Sequence, residues 1–139
     1  MTDWAKRAKN EFALKSVSID RLASFSEFDE EPGEGLLRSL IEMYLDAGPK
    51  ALETLKTHIN AKNIPAIHKA AHALKSSSAN IGASQLAKML QELEDATDQE
   101  AVSASIHFAK ALVDIETEFR RVCRELSVVQ DLVQGKRAS

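Results

Sequence analysis

The last third of the chain carries the pattern that most limits its fold. Phe108, Leu112, Ile115, Phe119, Val122, Leu126, Val129 and Val133 follow one another at steps of 4, 3, 4, 3, 4, 3 and 4 residues. An α-helix turns once in about 3.6 residues, so this spacing places all of these side chains along one seam of a single long helix. A seam of that length has to be buried against other helices. A dimerising coiled coil is one way to cover it. A bundle is the better reading, because the rest of the chain carries apolar stripes that need the same partner.

Those stripes lie between punctuating residues. No period-two alternation runs for a useful length, and the five Gly and three Pro fall between helical patterns. Trp4, Ala8 and Phe12 mark a helix over Asp3 to Leu14, and Ser18 can cap a short one over Ile19 to Phe25. An acidic loop, Glu27 to Gly35, follows. Leu36 to Ala47 carries an apolar arc of roughly 200°, wider than a simple core stripe, so part of it is expected to stay exposed. Gly48 and Pro49 are expected to bend the chain, with Pro49 opening a further helix through Ile59. Asn63 can cap a helix over Ile64 to Ile81 with Pro65 in its first turn, and Gly82 can end it. Leu86, Leu90 and Leu93, extended by Met89, define a helix over Ala83 to Ala96, and Asp98 is expected to cap the last helix. The class is all-α: an up-down-up-down antiparallel four-helix bundle with an additional N-terminal helical segment. Residues 1–17 form the extension, 18–133 the bundle and 134–139 a flexible tail.

Composition narrows the class of partner. A chain of 139 residues with 44% hydrophobic and 28% charged side chains suits one core, and no apolar run reaches the length of about 18 residues that a membrane span needs. Met1 to Asn10 lacks the apolar stretch of a signal peptide, so a cytoplasmic location is expected. The net charge of −3 gives no reason to expect nucleic acid. A local basic spot formed by His68, Lys69, Lys75 and Lys88 suits an acidic partner or a phosphoryl group instead. Cys123 has no second cysteine to pair with and lies among apolar positions, as a packed thiol does. A monomer is the default for a bundle that closes its own core.

The run His72-Ala73-Leu74-Lys75-Ser76-Ser77-Ser78, followed by Gly82-Ala83, puts a histidine where a core-building helix has no use for one. His68, Lys75, Ser76 and Ala79 share its helical face, while Ile67, Ala70, Leu74 and Ile81 lie opposite. The imidazole therefore faces out, beside a lysine and small residues that leave room for an incoming surface. A neutral imidazole is a good nucleophile near pH 7. Phosphoryl transfer asks a protein mainly for positioning and cationic support, which Lys75 can supply; Ser76 and the backbone near Gly82 are further hydrogen-bonding candidates.

These residues, with Leu93-Glu94, the Leu37 to Tyr44 helix and the long final helix, resemble the histidine-phosphotransfer (HPt) domain family of multistep bacterial phosphorelays. The likeness extends over about Ile19 to Leu126. It implies that His72 is the phosphorylated residue and that Lys75 lies beside the phosphoryl group, with Ser76 at a position the family usually fills with glycine. Glu94 matches a polar position near the imidazole, where a carboxylate is expected to orient the ring or raise its basicity. Leu36, Met43, Tyr44 and His68 correspond to the surface that docks receiver domains, with Ala79 keeping that face open. The partners implied are receiver domains of a hybrid kinase or of response regulators, and their aspartates and Mg²⁺ supply most of the catalysis.

Plainer readings stand beside these. His68 and His72 form an i, i+4 pair that could ligate zinc, but no third ligand is evident and Lys69 stands where a metalloprotease would have its glutamate, so no metal or other cofactor is expected on this chain. His58 and His107 have no supporting constellation. No glycine-rich phosphate loop is present, which argues for a carrier rather than a kinase. A helical adaptor whose histidine is never phosphorylated, or the phosphoacceptor domain of a chemotaxis-type kinase, are the alternatives.

Overall fold

The computed structural model describes residues 3–26, 35–98 and 104–135, and for 104–106 the backbone only. Among these residues there are six helices and no strand: α1 (Asp3–Asn10), α2 (Ile19–Ser26), α3 (Leu36–Asn60), α4 (Ile64–Asn80), α5 (Ser84–Ala96) and α6 (Ala104–Val133). The class is all-α. Residues 27–34 of the expected acidic loop and residues 136–139 of the expected tail lie outside the described residues.

The four long helices form a ring in which α3 packs on α4, α4 on α5, α5 on α6 and α6 back on α3. Cross-contacts fix their direction. Tyr44 early in α3 meets Ser78 late in α4, and Gln130 near the end of α6 reaches Glu42 near the start of α3. His68 and Lys75 of α4 meet Thr97, just beyond α5, and Gln91 in reverse order. Successive helices thus run up, down, up and down, joined at Ala61–Asn63 and Ile81–Ala83 by three-residue links. The final seam behaves as its spacing predicts: Phe108, Leu112, Ile115, Phe119, Val122, Leu126 and Val129 are all buried, against Leu37, Ile41, Leu55, Ile67, Leu74, Leu86 and Leu90 of the other helices.

Local signals set several helix ends. Ser18 Oγ accepts the N–H of Arg21 at 3.2 Å, and Asn63 Oδ1 that of Ala66 at 3.3 Å with Pro65 in the first turn of α4. Two expectations are corrected, on the first helix and on Pro49. The first helix stops at Asn10, and Phe12 and Leu14 follow it as half-buried residues packed against the core. The expected cap at Asp98 falls in the turn after α5, and residues 99–103, which lead from it to Ala104, lie outside the described residues. Pro49 neither breaks nor opens a helix: α3 runs through it unbroken for 25 residues.

The reason for that continuity is packing. Leu37, Ile41, Tyr44, Gly48, Leu55 and Ile59 keep one buried stripe in phase on both sides of Pro49, whose ring lies on the exposed face. A proline inside a helix loses one backbone hydrogen bond and crowds the preceding turn, at a cost of about 3 kcal/mol. Burial along the whole stripe offsets it. Gly48 has a different task, because a Cβ there would come within 3.0 Å of Phe119 Cζ; its hydrogen lets α3 and α6 approach.

The two short helices close one end. α1 packs on α6 and α2, and α2 packs on α3, with Ala5, Ala8, Ile19 and Leu22 buried in the common core. Buried Glu125 of α6 accepts the backbone N–H groups of Ser16 at 2.8 Å and Val17 at 3.1 Å through one oxygen. Gly82, at φ +86°, takes a left-handed turn that a side chain would strain. Its carbonyl accepts the Ser18 N–H at 2.9 Å, tying the start of α2 to the α4–α5 link. No helix among the described residues is long and apolar enough to cross a membrane.

Candidate functional site

Opposed residues of α4 and α5 form a polar ladder on the outside of the bundle. His72 is exposed, its side chain 59% accessible, and its Nδ1 lies 3.0 Å from Glu94 Oε1. The same carboxylate oxygen lies 3.1 Å from Lys75 Nζ. Lys75 also donates to Gln91 Oε1 at 2.7 Å, and Gln91 Nε2 donates to Asp95 Oδ1 at 2.8 Å. One turn earlier, His68 Nδ1 pairs with Thr97 Oγ1 at 2.8 Å.

Charge decides which way these bonds run. Partial burial works against the charge on Glu94, but the hydrogen bonds and charges of Lys75 and His72 outweigh it, so its carboxyl sits below the usual 4.5. An ionised carboxylate can only accept, so Nδ1 of His72 carries the proton and donates it. In the neutral ring the lone pair is then on Nε2, the nitrogen farther from Glu94 and the backbone. Thr97 Oγ1 already donates to the Glu94 carbonyl at 2.6 Å, so towards His68 it accepts, and His68 has the same tautomer.

The remaining expected residues separate into groups. Ser76 and Ala79 are exposed on the His72 face. Gly82 is not brought to the imidazole: it lies in the link beyond the C-terminal end of α4, and its N–H and carbonyl are committed to Ala79 and Ser18. Its role is structural. Leu36 and Met43 are exposed, at 47% and 65%. Tyr44 contributes to the wall of an apolar groove rather than to the outer surface. It is buried, shares a 2.8 Å hydrogen bond with Ser78 Oγ and packs against the Phe119 ring, and burial raises its hydroxyl above the usual tyrosine value. His68 is half-buried.

Beside the His72 face runs an apolar groove of about 400 Å³ between α2, α3 and α4, lined by Phe25, Leu40, Met43, Ala47 and Ala51, with Ser77 and Asn80 on its α4 wall. Cys123 is half-buried on α6, where burial pushes its thiol up to about 11, so it remains a protonated packing residue. Among the described residues no cluster of three or more His, Cys, Asp or Glu side chains is placed to hold a metal ion. Sequence reasoning missed Gln91, Asp95 and Thr97. The spacing held a signal for them, since antiparallel pairing of His72 with Glu94 also brings Lys75 to Gln91 and His68 to Thr97.

The Hpt domain family model matches residues 39–132, which include α4, α5 and every member of the ladder. No curated protein sequence matches the chain. Among solved structures, a rice protein assigned to the histidine-containing phosphotransfer proteins is similar in fold, with a TM-score of 0.76 at 15% identity over 98% of this chain and 95% of the rice chain. A family model spanning well over half the sequence, on a helical bundle of matching fold, establishes that the chain belongs to the Hpt domain family of histidine phosphotransfer carriers.

Proposed function

We propose that this chain takes a phosphoryl group from an aspartyl phosphate of one receiver domain onto Nε2 of His72 and delivers it to the aspartate of another. The observation that carries this reading is an exposed imidazole whose Nδ1 is tied to an ionised carboxylate, with Nε2 left as the lone-pair nitrogen.

The step balances without proton transfer at the nucleophile. The Nε2 lone pair forms the N–P bond as the acyl phosphate P–O bond breaks, and the receiver aspartate leaves as a carboxylate. The ring keeps its Nδ1 proton and acquires positive charge, which Glu94 faces at 3.0 Å. Lys75 offers a cation to the oxygens of the transferring group, whose charge is spread widely in a loose transition state. Reversing the same step to a second receiver requires neutral imidazole to leave, and the retained Nδ1 proton makes that possible. Mg²⁺ and the reacting aspartate belong to the receiver. Small residues at Ser76 and Ala79 admit its loops, and the groove that Leu36, Met43 and Tyr44 help to line gives it an apolar footing.

Incubation with a phosphorylated receiver should label the native chain with an acid-labile, base-stable phosphoryl group, and His72→Gln should abolish the label. Undiminished label on His72→Gln would overturn the proposal. A native chain that binds receivers but never acquires label would be an adaptor.

A further inference from the structure

The phosphorelay reading assigns Lys75 a task that a free lysine performs poorly. Its ammonium is carried on four rotatable carbons and has large rotamer freedom to lose. In the structure that freedom is already removed, since the Lys75 side chain is 20% accessible and its Nζ is held from two sides on α5.

The shorter of those two contacts is to Gln91, at 2.7 Å, against 3.1 Å to Glu94. An amide presents an acceptor on one edge and two donors on the other, so either edge could face a neighbour. Asp95, one helical turn on, removes the choice: its carboxylate accepts only, so the amide nitrogen must face it at 2.8 Å. The amide oxygen is thereby turned to Lys75. Asp95, Gln91, Lys75, Glu94 and His72 form one continuous chain of hydrogen bonds in which every donor and acceptor is determined.

We propose that Gln91 is the positioning residue of the transfer site: its amide, oriented by Asp95, fixes the Lys75 ammonium beside His72 so that the cation is in place before the phosphoryl group arrives. This rests on His72 being the phosphorylated residue. An ammonium has three N–H groups, and Gln91 and Glu94 accept two. The third remains for a phosphoryl oxygen. Glu94 alone would not suffice, because its one oxygen is shared with His72 and its pull on Lys75 weakens as the ring gains positive charge and competes for it. Gln91 is neutral and has no such competitor.

The test measures transfer from a phosphorylated receiver at saturating concentration for the full chain and for Gln91→Ala, Asp95→Ala, Lys75→Ala and Lys75→Ala/Gln91→Ala. Gln91→Ala should lower the maximal rate on the order of five-fold with little change in the half-saturating receiver concentration, as expected when a transition-state contact is loosened. Asp95→Ala should lower it less, because the amide can still adopt the productive orientation part of the time. The double variant should be no slower than Lys75→Ala. A wild-type rate for Gln91→Ala would overturn the proposal, as would an equal further loss in the Lys75→Ala background, which would mark Gln91 as merely structural. These outcomes are distinct from failure of the phosphorelay reading, where the label itself would not depend on His72. Helical circular dichroism and melting of each variant establish that the bundle is intact.

Discussion

At the scale of single residues, the site is governed by one carboxylate oxygen. Glu94 Oε1 faces both the imidazole and the ammonium, so it sets the tautomer of the first and holds the charge of the second. Its carboxyl is held below 4.5 by Lys75 and His72, against the opposing effect of burial. A group whose folded-state value is depressed contributes stability above its unfolded value and loses it as the pH falls through the folded one. The native chain should therefore be more stable than Glu94→Gln at pH 7, and the difference should shrink as the pH drops below 4.5; melting of the two proteins from pH 7 to pH 3 measures it. A constant difference across that range would contradict the assignment of charge. Transfer to His72 should slow in Glu94→Gln at neutral pH, because a neutral amide holds the ring without stabilising the positive charge it gains.

At the scale of elements, α3 gives the sharpest test. Pro49 is exposed and costs the helix a hydrogen bond, so Pro49→Ala should raise stability by up to about 3 kcal/mol in chemical denaturation. Gly48→Ala should do the opposite. Alanine favours helix by about 1 kcal/mol over glycine, yet its Cβ would press on Phe119 at 3.0 to 3.1 Å, and overpacking of this kind costs about 1 to 3 kcal/mol. The same pair of neighbours explains what the sequence made legible and what it did not. Gly followed by Pro is a local stop signal, and local reasoning predicts a bend. The deciding fact is that Ile41, Tyr44, Gly48, Leu55 and Ile59 remain on one stripe, a regularity visible only when the pattern is followed across the proline. The α6 seam was legible because its steps never lose phase. The outward face of His72 was legible for the same reason, whereas the burial of Tyr44 depends on Ser78 and Phe119, residues 34 and 75 positions away. Gln91 and Asp95 were hidden because their partners sit on another helix, and only the register of α4 against α5 brings them together.

At the scale of the whole molecule, the described part of the N-terminal extension, residues 3–17, contributes side chains to the common core. Ala5 and Ala8 are fully buried, and Val17 lies with them in the same cluster. Deleting residues 1–17 should lower the melting temperature by several degrees, since it uncovers part of α6 and leaves the Glu125 carboxylate without the two N–H groups it holds. If Glu125 carries much of that effect, Glu125→Ala in the full chain should reproduce a large fraction of it. Transfer by His72 should persist in both variants wherever they remain folded, because the α4–α5 ladder takes no residue from this segment.

The grip of Glu125 on Ser16 and Val17 spans 109 and 108 positions of sequence. During synthesis the segment that joins α1 to α2 therefore has no acceptor for these two N–H groups until α6 has been made, so this clasp closes after the four long helices are available to one another.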